Sequence, residues 1–212
     1  MEGIKQQLAL NPISSSDDRE KLDSISNALE EFNHPLLCEE SKTHEFKASI
    51  RKPFPDYPEP EIKENGKKIY TLGQNEFSSI KQIHNFLESI VLKTVASLLN
   101  TNGGNLVIGV LEKDNKKEVL GIDREGLESH DKYERHLTQL FINAFGKDIT
   151  SKYITTSILK IEKKPVCNVI CGQNPKDAMP IFYNEKMFIR TGPRVDELNH
   201  EELARYLLER KK

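Results

Sequence analysis

Ser79–Glu112, SIKQIHNFLESIVLKTVASLLNTNGGNLVIGVLE, decides the fold. Ile80, Ile83, Leu87, Ile90, Val91, Val95 and Leu98 recur at three-and-four spacing, which lays a continuous apolar stripe along one side of a helix. Ser79 with Gln82 three residues on has the form of a capping box. Asn100–Gly104 supplies the stop, because glycine accepts the left-handed backbone that ends helices. Asn105–Leu111 is almost unbroken apolar sequence, as in a strand covered on both faces. Gly109 within it points to close approach by another backbone or a ligand. The centre of the chain is therefore helix, glycine turn and buried strand.

Around this centre, 212 residues with 36% hydrophobic content bury one sizeable core. No apolar run approaches the roughly 20 residues of a membrane span, and no secretory signal opens the chain, so a soluble, cytoplasmic protein is expected. Cys38, Cys167 and Cys171 have no metal-site spacing and read as reduced core thiols. The net charge of −2 is unevenly spread: −6 through Glu40 and +4 over the remainder. Basic groups recur at Arg51 and Lys52, at Lys67 and Lys68, at Lys113, Lys116 and Lys117, and at Arg190 and Arg194. They form a phosphate-binding surface only if they converge on one face.

Asp17–Phe32 has the pattern of an amphipathic helix, within an acidic extension over residues 1–36. Glu39–Ile50 then reads as a strand in which His44, Phe46, Ala48 and Ile50 share one face and Glu45 and Lys47 the other. Residues 51–74 break regularity with four prolines and carry the hairpin signal Asn65-Gly66, an arm inserted in a domain over 37–212. Phe54, Tyr57 and Tyr70 beside basic residues suit single-strand contacts, or a loop packed back on its own domain. Beyond the centre, a polar turn at Lys113–Lys117 and Val119–Ile122 predict a hairpin. A helix is expected over about Lys132–Phe145. Two strand pairs follow, Ile154–Ile161 with Val166–Cys171 and Ile181–Tyr183 with Met187–Arg190, and then a last helix capped by Asn199.

No P-loop, GxGxxG, HExxH or GxSxG pattern occurs, and Gly103-Gly104 alone is a weak phosphate signal. What remains is carboxylate. Glu40 and Glu45 lie at the first strand of the domain, and Glu112 leaves the central strand. If the two strands are neighbours, the three acids meet at one edge. Carboxylates so placed select a hard cation such as Mg²⁺ or Mn²⁺, which can polarise a phosphodiester and activate water. Lys47 could contact the phosphate. Ordinary surface acids satisfy the same spacing.

E-S-K-T-H-E-F-K at Glu40–Lys47, A-S-L-L-N-T-N-G-G-N-L-V-I-G-V at Ala96–Val110, V-L-G-I-D at Val119–Asp123 and F-I-R-T-G-P-R at Phe188–Arg194 together resemble the Schlafen-type divergent Alba-like domain. The resemblance implies an α+β fold, with helices against a curved mixed sheet, that binds nucleic acid, often as a dimer or pseudo-dimer. In the Schlafen ribonucleases it implies a metal-dependent site of three acids that cuts transfer and ribosomal RNA. Carried over, the acids fall on Glu40, Glu45 and Glu112 and the family lysine on Lys47. Glu112 stands where the nuclease members typically have aspartate, with Asp114 as a fallback ligand.

The expectation is a nucleic-acid-binding domain with a candidate Mg²⁺- or Mn²⁺-dependent endoribonuclease site. Glu40, Glu45 and Glu112 would be metal ligands and, with Lys47, the catalytic set. Arg51, Lys52, Lys67, Lys68, Lys113, Arg190 and Arg194 would contact nucleic acid, RNA ahead of DNA, in a monomer or a homodimer. The rival is a non-catalytic DNA- or RNA-binding module in which Glu40 and Glu45 shape the sheet edge and hold Lys47 or an arginine in place. A protein-interaction domain comes third, and an ATP-binding domain finds no phosphate loop.

Overall fold

A helix of 21 residues, α1 (Ile80–Asn100), organises the chain. The computed structural model describes residues 39–114, 116–175 and 178–210. The helix expected over Asp17–Phe32, the rest of the acidic extension and Cys38 lie outside these residues. The Ser79 side chain caps α1 by accepting from the Gln82 backbone N–H. Val91, Val95, Leu98 and Leu99 are fully buried along its second half.

The strand expected after it is two strands, β5 (Gly104–Ile108) and β6 (Val110–Lys113). Gly109 separates them with φ +99°, and a Cβ there would press on the Gly121 backbone. Its N–H donates to the Lys47 carbonyl, while its own carbonyl accepts from Leu120 and Gly121. The sequence signal of close backbone approach at Gly109 is thus met by Gly121. The break lets β6 leave the sheet and pair with β7 (Lys116–Val119) as a projecting hairpin.

The main sheet is mixed. β1 (His44–Lys47) runs parallel to β5, which pairs antiparallel with β9 (Lys164–Cys171) and through it with β8 (Ile154–Ile161). α2 (His130–Phe145), capped by Ser129, adds Leu137 and Phe141 to a core shared with Leu98, Leu106, Ile108, Cys167 and Val169. Burial pushes the thiols of Cys167 and Cys171 up to about 12, so both are inert packing groups.

A second antiparallel sheet, β10 (Phe182–Tyr183), β11 (Lys186–Thr191) and β12 (Arg194–Glu197), sits at the C-terminal end of α1. Asn100, 3% exposed, joins the two: its Nδ2 donates to the carbonyls of Ile181 and Phe188, and its Oδ1 accepts from the Ile181 N–H. The arm is a small sheet of β2 (Glu61–Ile62), β3 (Lys68–Leu72) and β4 (Asn75–Phe77). Short α3 (Lys147–Tyr153) and C-terminal α4 (His200–Arg210) complete an α+β arrangement. None of the described helices is long and apolar enough to cross a membrane.

Candidate nucleic-acid cleft

β1 is an edge strand whose outer backbone groups are covered by side chains rather than by another strand. The Phe46 N–H donates to Glu40 Oε1 at 3.2 Å, and the His44 N–H to Ser41 Oγ at 3.1 Å. Lys47 Nζ donates to the Phe46 carbonyl at 3.2 Å. This both blunts the edge against further pairing and fixes the polar side chains.

Between β1 and the β6–β7 hairpin lies a cleft of about 430 Å³ lined by Glu40, Glu45, Lys47, Glu112, Lys113 and Asp114, among others. Burial raises the carboxyl of Glu40 above the usual carboxylate range, and the neighbouring charges of Glu45 and Glu112 add to this. The Phe46 N–H and Lys47 oppose it. Oε2 of Glu112 is buried without a hydrogen-bond partner, its nearest cation being Lys117 Nζ at 3.8 Å. Lys117 stands opposite Glu112 in the hairpin register and lies 5.0 Å from the centre of the Phe46 ring.

Glu45 is different. At 5% exposure it accepts from Lys47 Nζ on one carboxylate oxygen and from Arg190 Nη1 on the other. Glu40 and Glu112 therefore offer the donors a hard divalent cation would use, the half-buried charges and the orphaned oxygen being suited to it. Glu45 would join them only by giving up a cationic partner. Among the described residues no three acids, histidines or cysteines form a set close enough to hold a metal ion.

The structure brings Glu40, Glu45, Lys47, Glu112 and Lys113 together and leaves the other expected basic residues off the cleft lining. Arg190 corrects the sequence reading. Expected on the surface, it is 2% exposed, because β11 turns its side chain inward to Glu45 and to the carbonyls of Ser41 and His44. Arg194 is exposed and paired with Asp196, and Lys67 and Lys68 are exposed on the arm. Lys52 pairs with Asp56 at 3.2 Å.

Arg51 belongs to a polar network that ties the arm to α1 and α2. Its Nη2 donates to His84 Nδ1 at 3.2 Å, and His84 Nε2 meets the Tyr57 hydroxyl at 2.8 Å. Glu88 in turn accepts from His136 Nε2 at 2.8 Å. Phe54 is covered by Arg124, which also donates to the carbonyls of Pro53 and Pro55. Tyr57 thus packs back on its own domain, whereas Phe54, although it lies under Arg124, stays 40% exposed. Sequence reasoning passed over His84, Arg124 and Glu125, which sit among unremarkable polar neighbours. Lys117, read in the sequence only as one of a basic group, is set opposite Glu112 by pairing the hairpin about its turn.

Because a guanidinium only donates, His84 Nδ1 is the acceptor and the folded state holds the ring neutral. Burial, then Arg51, lowers its pKa from 6.5. A histidine depressed in the fold leaves stability intact above its ordinary pKa, and stability falls as pH drops through that value toward the folded-state pKa. His84→Gln is expected to flatten the acid limb of the stability profile between about pH 7 and pH 5. Urea midpoints across that range check this; parallel profiles for the two proteins would contradict it.

The family model described as Schlafen, AlbA_2 matches residues 40–199. No curated protein matches. Among solved structures, the DIP2311 protein from Corynebacterium diphtheriae is similar at 14% identity and a TM-score of 0.48, over 78% of this chain and 26% of that one. The N-terminal domain of a RecG-related protein from Nitrosomonas europaea is similar at 17% identity and a TM-score of 0.36, over 45% of this chain and 63% of that one. The chain thus spans about a quarter of the length of the first of these. With the model matched across most of its length, the chain belongs to the Schlafen AlbA_2 family.

Proposed function

We propose that the domain binds nucleic acid along the cleft between β1 and the β6–β7 hairpin, with structured RNA of the transfer or ribosomal type ahead of DNA. We propose further that the cleft is a site of Mg²⁺- or Mn²⁺-dependent phosphodiester cleavage. Family membership supports a nucleic-acid role. The observation that carries the reading is the arrival of Glu40, Glu45, Lys47 and Glu112, from two separate segments, on one cleft. Lys113 lines the cleft, and Lys116 and Lys117 lie beside it on the same hairpin, the positive charge a phosphate backbone requires.

Glu40 and Glu112 would hold the cation, which when bound would supply a Lewis acid for a phosphate oxygen and a water of lowered pKa. Lys47 would contact the phosphate and stabilise charge that develops on it. Glu40 is itself fixed by the Phe46 N–H, so it is oriented before substrate arrives. One observation favours a second, non-catalytic reading: both oxygens of Glu45 are taken by Arg190 and Lys47, which is the edge-shaping role a binding module needs.

End-labelled transfer RNA and single-stranded DNA, incubated with Mn²⁺, Mg²⁺ or chelator, test both readings. The comparison is with Glu112→Gln, which leaves the Arg190 pair untouched. Discrete metal-dependent RNA products, lost in the variant, are expected, together with affinity that falls steeply with salt as counterions are released. A gel shift with intact substrate would select the binding module. No association with RNA or DNA even at low salt would overturn the nucleic-acid reading altogether.

A further inference from the structure

We propose that Arg190 is a positioning residue of the cleft: through Glu45 it fixes the ammonium of Lys47 where a phosphate would lie. The phosphate rests on the nucleic-acid reading above; the positioning rests on geometry alone.

Arg190 cannot reach a ligand itself, its side chain being wholly buried. Its backbone is held as firmly as its side chain. The Arg190 N–H donates to Thr101 Oγ1 at 2.9 Å, and two residues earlier the Phe188 carbonyl accepts from Asn100 at 3.0 Å. β11 is thereby fastened to the C-terminal end of α1. From there the guanidinium crosses to β1, where Nη1 holds Glu45 and Nη2 the carbonyls of Ser41 and His44. The other oxygen of Glu45 accepts from Lys47 Nζ.

The chain of contacts runs in one direction, from a rigid buried cation through a rigid buried anion to a cation at the surface. Lys47 is 26% exposed in its side chain and lines the cleft. A free lysine stem samples many rotamers, and a phosphate that captures it must first order it. A carboxylate locked from behind removes that freedom before the phosphate arrives. A desolvated ion pair is in itself a weak source of stability, so what this one provides is a defined geometry at β1. The arrangement also joins the motif block at Phe188–Arg194 directly to the block at Glu40–Lys47, far apart in sequence.

The test combines RNA binding across a salt series with NMR of the lysine ammonium groups, the Lys47 signal being identified by its loss in Lys47→Met. In the wild type that signal is expected to be resolved and protected by its bond to Glu45. Arg190→Met should broaden or remove it and lower the slope of log affinity against log salt by about 1, as Lys47→Met does. Arg190→Met combined with Lys47→Met should be no worse than either alone, since coupled residues do not add. Should Arg190→Met not fold, Arg190→Lys, which keeps the buried charge opposite Glu45 but not the planar fork that also holds the Ser41 and His44 carbonyls, takes its place. A folded variant that keeps the wild-type salt slope and Lys47 signal overturns the positioning role. A wild type that binds no RNA defeats the functional reading instead, while the Lys47 signal of Arg190→Met still decides the positioning.

Discussion

Gly104→Ala is expected to destabilise the domain by about 2–6 kcal/mol, from a left-handed backbone worth roughly 1–3 and an overpacked contact worth roughly 1–3. Gly104 opens β5 with φ +142°, a region that side chains rarely enter. A Cβ there would fall on the Thr43 carbonyl, whose oxygen already accepts from the Asn105 N–H at 2.8 Å. Because the obstacle is backbone, no rotamer change relieves it; β1 must move away from β5, and β1 carries Glu45 and Lys47. Nucleic-acid affinity is therefore expected to fall with stability. Gly66→Ala is the control, since it has φ +77° but nothing within 4 Å of a Cβ, and it should cost only about 1 kcal/mol. Urea denaturation of the three proteins reads this directly. Equal losses for Gly66→Ala and Gly104→Ala would show that conformation alone, and not the approach of β1, sets the requirement.

The same glycines show what the sequence could and could not say. Helix, turn and strand at Ser79–Glu112 were legible because periodicity and caps are local. At Gly109 a close approach was legible but the break in the strand was not, because the approaching segment, Gly121, is set by the fold. Gly103-Gly104, a weak phosphate signal on its own, serves packing: a Cβ on Gly103 would meet the Cys171 carbonyl. α3 escaped notice because Gly146 reads as a stop and seven residues show no period. β12 was missed because Arg194–Glu197 holds one apolar residue. At the site, Glu40, Glu45, Lys47 and Glu112 were recoverable through family motifs, and the structure places them on one cleft. The burial of Arg190 was hidden by its charge. Strand parity held the clue, since Arg190 shares its face with Phe188, and Phe188 is core.

Glu125→Ala is expected to cost about 3–5 kcal/mol, a large effect for a residue outside the cleft lining, because it strands several backbone donors at once. Glu125, 6% exposed, accepts from the Ile50 N–H on Oε1 at 2.8 Å. Its Oε2 accepts from the Arg51 and Lys52 N–H groups at 2.9 and 3.1 Å. Three consecutive amides at the root of the arm converge on one carboxylate, and burial still holds its pKa above the usual range despite them. Glu125→Gln should recover part of the loss, since its carbonyl oxygen can take the place of Oε2 and accept twice, leaving its amide nitrogen set against the Ile50 N–H alone. The arm's side-chain ties of Arg51 and Tyr57 to His84, and of Arg124 to the Pro53 and Pro55 carbonyls, would remain. Limited proteolysis should accordingly cut Glu125→Ala within residues 51–74 well before the core unfolds, whereas the wild type should resist there. Cleavage of Glu125→Ala first in the β8–β9 core, or an arm in that variant as resistant as in the wild type, would show that the carboxylate is dispensable and that the network at His84 carries the load.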